Sequence, residues 1–380
     1  MNIHFWSPSL TTQFPICPVP FHLDTYRGCV YGCLYCFAQD FTTFNRRNSE
    51  HKTFNYLEGN NPEAFRKWFE SALKSPYDYS KGSEVAIKER IPLKIGACSD
   101  PFPPIEKTEG ITYRFLEVLN DYDYPVEIQT KNPQGLLNYV NDFFLDGKPN
   151  WCISVTVITA DEEFSKICEL NTPSPSERFK AIRELADKGL PVLVKIQPAI
   201  YPKIMSDLPN LIKAIKESGC WAFNIEGLKI RVAMPKKEQL LFREISKYLM
   251  FNLRSFYKMQ TNTGSDYELN PSKKREYINL SLELAKQYNL KCFIADNNMG
   301  CIGDGSECCG TQKLHNYKIF ANNLRSRSFP PVPYASEELG KCKINFCRCQ
   351  TNLNKTINEV AEMKIVNPLI NLIGKQEIWE

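Results

Sequence analysis

A chain of 380 residues that is 43% hydrophobic and 24% charged has enough apolar surface for a sizeable core, which excludes wholesale disorder. Its net charge of +4 is too small to mark a polyanion binder by composition, and no run of about 18 apolar residues exists to span a membrane. The opening MNIHFWSPSL lacks a basic region followed by an apolar one, so a cytoplasmic protein is expected. Its 15 cysteines then read as metal ligands and core thiols, not as a disulfide framework.

In chain order, a first strand is expected near 21–26, followed by the loop YRGCVYGCLYCFAQ and a helix over 63–75. From residue 92 short apolar runs alternate with helical spacing. Strands are expected over 92–98, 125–131, 151–157, 191–200 and 222–230. Helices are expected over 110–122, 134–147, 174–189 and 207–219. The helix at 174 has Ser and Pro at its start and Gly at its end, as helix boundaries favour. Two longer helices, near 236–259 and 272–288, precede a last strand over 291–296. A β-α series without hairpin signals implies a parallel sheet with right-handed crossovers. The strands read as apolar on both faces, which suits an open doubly wound sheet and a barrel alike. Beyond 297 the composition turns to Gly and Cys, then Asn, Ser and Pro. Residues 297–380 are therefore expected to form a Cys-rich extension to a domain over 1–296, with 297–350 irregular and held by something other than a core. Cys152, Cys168, Cys220 and Cys292 lie in apolar surroundings and are expected to be core thiols.

Cys29, Cys33 and Cys36 form the pattern C-x3-C-x2-C on the loop after the first strand. Thiolates hold iron–sulfur clusters and zinc. Structural zinc takes four ligands, and this motif supplies three. A [4Fe–4S] cluster with one iron left open is the stronger reading; half of a zinc site completed from elsewhere is the alternative. The loop must curl tightly, which Gly28 and Gly32 permit. Glu226 is a second signal, a carboxylate inside an apolar strand that needs a partner.

The C-x3-C-x2-C motif resembles the signature of radical S-adenosylmethionine (SAM) enzymes. Tyr26-Arg27-Gly28-Cys29, GCLYC, Ser99-Asp100-Pro101-Phe102, Gln129-Thr130-Lys131, Ser154-Val155-Thr156 and Glu169 with SPSERFKAIRELADKG are similar, in order, to the spore photoproduct lyase-like family over about residues 20–230. The resemblance implies a partial parallel (β/α)6-type barrel. It also implies a [4Fe–4S] cluster on Cys29, Cys33 and Cys36, with SAM chelated at the open iron and cleaved to a 5′-deoxyadenosyl radical. It places Ser99 and Asp100 by the SAM amino group, Lys131 by its carboxylate and Ser154 near its ribose, all at C-terminal strand ends. An external electron donor of the flavodoxin or ferredoxin kind is implied as well. The chain departs from the thymine-dimer-repairing lyase in two places. Ala97 stands where that enzyme has its hydrogen-donor cysteine, with Cys98 next to it and facing away if the strand continues. Phe37 stands where the lyase has a tyrosine. The resemblance therefore carries fold and SAM cleavage, with Cys98 and Glu226 as catalytic candidates, and leaves the substrate open.

A second group comprises Cys301, Cys308, Cys309, Cys342, Cys347 and Cys349, for which an auxiliary [4Fe–4S] cluster, zinc and free thiols are all compatible. Between 311 and 380 ten Lys and Arg face six Glu, so the tail carries the basic excess that a nucleic acid would meet. Three functions follow: radical SAM modification or repair of a substrate such as a nucleic acid, radical SAM modification of a peptide or small metabolite, and a non-catalytic, metal-stabilised nucleic-acid-binding protein.

Overall fold

The structure, a computed structural model, describes residues 1–10, 20–38, 57–78, 81–144, 147–231, 235–260, 266–296, 302–305, 308–320 and 333–335. Seven parallel strands follow one another across a single sheet. They are β1 (Phe21–Leu23), β2 (Leu93–Ile95), β3 (Val126–Thr130), β4 (Trp151–Thr156), β5 (Val192–Ala199), β6 (Ala222–Gly227) and β7 (Lys291–Ile294). Ser9–Leu10 adds an antiparallel edge beside β1. Among the described residues this strand and β7 are the two free edges, so the barrel is open.

Helices fill the crossovers: α1 (Pro62–Lys74), α2 (Ile111–Asp121), α3 (Glu162–Cys168), α4 (Pro175–Asp187), α5 (Lys203–Glu217), α6 (Pro235–Leu249) and α7 (Pro271–Tyr288). The start of α4 bears out the sequence reading. Ser174 caps it, Pro175 opens it, and Glu177 completes a reciprocal capping box. Two helices are shorter than their periodicity implied. The span 134–147 breaks into a short helix, Pro133–Leu137, and a 3-10 turn, Val140–Phe144. The span 236–259 stops with α6, because Met250 takes a left-handed φ of 56°. The chain then enters a strand, Tyr257–Gln260, which joins Asp266–Leu269 and Lys229–Arg231 in a small antiparallel sheet beyond the end of β6.

The strands alternate, which corrects the expectation of two apolar faces. Val126, Ile128, Ile153, Val155, Val192, Val194, Ile196, Phe223 and Ile225 pack in the main core. The opposite positions are Lys94, Glu127, Gln129, Ser154, Lys195 and Asn224, so the barrel interior is largely polar. Polar groups are tolerated inside only when they find partners. Several are supplied by the described part of the chain beyond β7. The Ser154 hydroxyl lies 3.4 Å from the Cys309 carbonyl, and Asn224 Nδ2 donates to the Cys308 carbonyl at 2.5 Å. Farther along, Asn150 exchanges two hydrogen bonds with His315, and Arg90 holds the Asn316 carbonyl. Asn150 and Arg90 lie just before β4 and β2, so residues 308–318 run across the floor of the barrel, at the N-terminal strand ends. Asp304 secures the edge of β7 by accepting from the Cys292 amide at 2.7 Å and pairing with Lys291 at 3.0 Å.

Gly310 lets this segment reach the floor. Its φ is +78°, and a Cβ there would lie 2.4 Å from Leu193 Cδ2. Gly310→Ala is therefore expected to destabilise the chain by about 2 kcal/mol, from left-handed strain and overpacking. Urea denaturation measures it, and an unchanged midpoint would mean that the segment does not dock inside the barrel.

Candidate active site

The C-terminal strand ends form the mouth of the barrel, and the cysteine loop lies there. Gly28 (φ 87°) and Gly32 (φ 61°) take the left-handed conformations that the tight curl requires. The Cys36 amide donates to the Cys33 carbonyl at 3.2 Å, closing the last turn. The last residue of α3 and the residues after it hold the loop from outside. The Leu34 amide donates to the Cys168 carbonyl at 2.9 Å, and Asn171 bonds the Tyr31 and Val30 carbonyls at 3.2 and 3.0 Å.

The three thiols lie close enough to influence one another. Burial pushes the Cys29 thiol up to about 11, with Asp100 and Cys36 adding to the rise, while the amides of Tyr31 and Asp100 stabilise its sulfur. Burial also pushes Cys33 up, aided by Glu169, Cys36 and Cys29 and opposed by Lys131. A cation bound at the loop would favour their thiolate forms. Among the described residues no three His, Cys, Asp or Glu side chains are arranged around a single ion. A cluster, which takes each thiolate at a different iron, fits this donor set better than zinc does.

A buried ionic group supports the loop from below. Arg178 is fully buried, and its guanidinium meets Glu169 at 2.7 Å, the Pro173 and Thr156 carbonyls at 2.8 Å each, and the Thr172 hydroxyl. Glu169 also accepts from the hydroxyl of Tyr35, which lies between the second and third cysteines. Burial works against the Glu169 charge, yet Arg178 and then Lys131 hold its carboxyl below the usual range. The Lys131 ammonium sits 5.5 Å from the centre of the Tyr35 ring. Burial opposes its charge, but Cys33, Glu169 and Cys36 together raise its pKa. Lys131 thus stands beside the cysteine loop.

Ser99 and Asp100 reach the same place. The Ser99 hydroxyl donates to the Gly28 carbonyl at 2.5 Å. Asp100 accepts from the Lys131 amide at 2.7 Å, the Thr130 hydroxyl at 2.8 Å and the Phe102 amide at 3.0 Å, so it ties two strand ends together. Cys98 follows a strand that does not continue. Strand β2 ends at Ile95 and Gly96 turns the chain at φ 90°, so the alternation that would aim Cys98 away no longer applies. Its amide bonds Asp24 at 2.9 Å. Burial raises its pKa, and so do Asp24 and Cys36; the bond of its amide to Asp24, the residue after β1, sets Cys98 at the mouth. Phe37 is exposed.

Ser154 does not lie at a strand end. It is fully buried in the middle of β4, and its hydroxyl donates to Glu127 Oε1 at 2.8 Å. The last residue of that strand is Thr156. Glu226, at the end of β6, has the partner its position demanded, Lys229 at 2.5 Å. Cys152, Cys168, Cys220 and Cys292 are buried, as expected of core thiols.

Of the second cysteine group, Cys301, Cys342, Cys347 and Cys349 lie outside the described residues. Cys308 and Cys309 lie at the floor, away from the mouth, where Cys308 packs against the inner cluster of Leu193, Ala222 and Phe293. Sequence reasoning missed the interior charges Lys94, Glu127 and Lys195. The available signal was the one that marked Glu226, a charged residue inside an apolar strand.

No family model matches the chain. Uncharacterised proteins of Mycobacterium tuberculosis and Mycobacterium bovis are each 24% identical to it over 222 residues, 56% of this chain and 60% of the relative. The chain thus spans about 60% of the length of these curated relatives. A double mutant of spore photoproduct lyase with bound AdoMet and dinucleoside spore photoproduct superposes with a TM-score of 0.54 at 13% identity, over 77% of this chain and 80% of the lyase. The lyase complexed with dinucleoside spore photoproduct gives 0.54 at 15% identity, over 75% and 78%. The chain shares the fold of spore photoproduct lyase.

Proposed function

We propose that this chain is a radical SAM enzyme that holds a [4Fe–4S] cluster on Cys29, Cys33 and Cys36. The observation that carries the reading is the gathering of these three buried or half-buried thiols at the mouth of a parallel open barrel with the fold of spore photoproduct lyase. When bound and reduced, such a cluster supplies the electron that splits SAM into methionine and a 5′-deoxyadenosyl radical.

The chain's own residues have separable tasks in this reading. Lys131 offers an ammonium to the SAM carboxylate, and Asp100 a carboxylate to its amino group. Arg178, Glu169 and Tyr35 hold the loop rigid. The Cys98 thiol keeps its proton at neutral pH, so an S–H stands at the mouth where a substrate radical could take its hydrogen. Asp100→Asn is expected to weaken SAM binding by roughly 1.5–3 kcal/mol, the strength of a hydrogen bond to a charged group. Calorimetric titration with SAM measures it; equal affinity in the two proteins would place the amino group elsewhere.

Anaerobic reconstitution with iron and sulfide tests the reading. The protein should acquire the iron and sulfide of a [4Fe–4S] cluster, and SAM should alter the electron paramagnetic resonance spectrum of its reduced form. Zinc in place of a cluster, with no response to SAM, would favour the metal-stabilised nucleic-acid-binding protein instead. A nucleic-acid substrate is supported by the resemblance and by the basic excess over 311–380, most of which lies outside the described residues.

A further inference from the structure

Lys195 is the one cation of the barrel interior that the described residues leave without a counter-charge. Its neighbours on β5, Val194 and Ile196, belong to the main core, whereas Leu193 packs inside against Ala222 and Phe293. By the same alternation Lys195 faces the interior. It is 7% exposed, and its ammonium, which keeps some contact with solvent, makes no hydrogen bond or ion pair with a described residue. The other interior charges are matched: Lys94 with Glu127 at 3.5 Å, Glu226 with Lys229 at 2.5 Å, and Asp296 with Lys274 at 3.2 Å.

The register fixes the depth of Lys195. It is level with Thr156, the last residue of β4, and with Asn224 on β6. The ammonium therefore lies just beneath the mouth, on the strand next to the one whose Thr156 carbonyl Arg178 holds. Asn224 is fully buried with its Nδ2 committed to the floor segment, and its Oδ1 receives no hydrogen bond. The stem of Lys195 is enclosed while its ammonium still reaches solvent and has no counter-charge among the described residues, so an anion that enters through the mouth would meet it.

We propose that Lys195 anchors an anion subsite inside the barrel, which binds a carboxylate or phosphate group of the substrate while the rest of that molecule meets the mouth. The Asn224 carbonyl oxygen is available to a donor on the same molecule. The substrate is then an anionic compound or segment narrow enough to send its charged end below the strand ends. The word substrate rests on the proposed radical SAM reading; the anion subsite does not.

Lys195→Met, in the full chain, tests this, because methionine keeps the apolar stem and removes the charge. Thermal melts of reconstituted protein and of the cluster-free chain are compared without added ligand, with inorganic phosphate and with acetate, and SAM affinity is titrated in parallel. The variant should melt no lower than the parent without ligand. Phosphate or acetate should raise the parent's midpoint and leave that of the variant unmoved, and SAM affinity should be equal in both. A lower midpoint in the variant would mean that Lys195 has a structural partner. Equal shifts in both proteins would mean surface binding only, and no shift in the parent would remove the subsite. Loss of SAM affinity would assign the anion to the SAM carboxylate and overturn the substrate assignment. Because the melts are also read on the cluster-free chain, failure to assemble a cluster would count against the radical SAM reading and not against the subsite.

Discussion

Replacing Cys29, Cys33 and Cys36 together by alanine is expected to remove the cluster and all SAM cleavage while leaving the chain folded. The sheet does not depend on these thiols. Its core is formed by the helix-facing residues of β1 to β7 and the helices over them. Of the three side chains Cys33 is the one fully buried, and truncating one small thiol leaves only a small cavity. The loop is also held by main-chain and side-chain bonds that the substitutions leave intact, among them Leu34 to Cys168 and Tyr31 to the Phe102 carbonyl. Circular dichroism should match the parent, iron should fall to background, and 5′-deoxyadenosine should be absent. A triple variant that still produced 5′-deoxyadenosine would exclude this loop as the seat of the chemistry.

Arg178→Met is expected to destabilise the chain by about 3–5 kcal/mol, the usual effect of removing one partner from a buried ion pair. Arg178 and Glu169 are both shielded from solvent, and the guanidinium also satisfies two carbonyls and a hydroxyl. Its removal leaves Glu169 with Lys131 as its remaining nearby cation. Because Tyr35 donates to the same carboxylate, the defect should extend to the cysteine loop, and the variant should retain less iron after reconstitution. Arg178→Lys should recover part of the stability, since it returns the charge without the planar fork. Urea denaturation and iron analysis read the two effects. A midpoint close to that of the parent would mean that the ion pair does not anchor the loop.

Local chemistry made much of the fold legible. The Ser174, Pro175 and Glu177 start of α4 and the apolar runs of β2 to β6 follow from rules that act over a few residues. The misreadings came from signals of other kinds. Alternation would aim Cys98 away only if the strand continued; β2 ends at Ile95 and the chain turns at Gly96, where a Cβ would meet the Gln129 carbonyl oxygen at 2.2 Å. The resemblance places Ser154 at a strand end, whereas β4 runs on to Thr156 and leaves it inside the strand. The floor of the barrel depends on contacts such as Ser154 with Cys309, 155 residues apart, which no local pattern announces. Lys195 was visible as a lysine in an apolar strand. Its significance appears only once the neighbouring strands are known and offer it no anion.

The most direct measurement is the fate of SAM in reduced, reconstituted protein under anaerobic conditions. 5′-Deoxyadenosine and methionine are expected to form in equal amounts, and neither is expected without a reductant. SAM recovered intact, from protein shown to carry a reduced [4Fe–4S] cluster, would contradict the radical SAM reading.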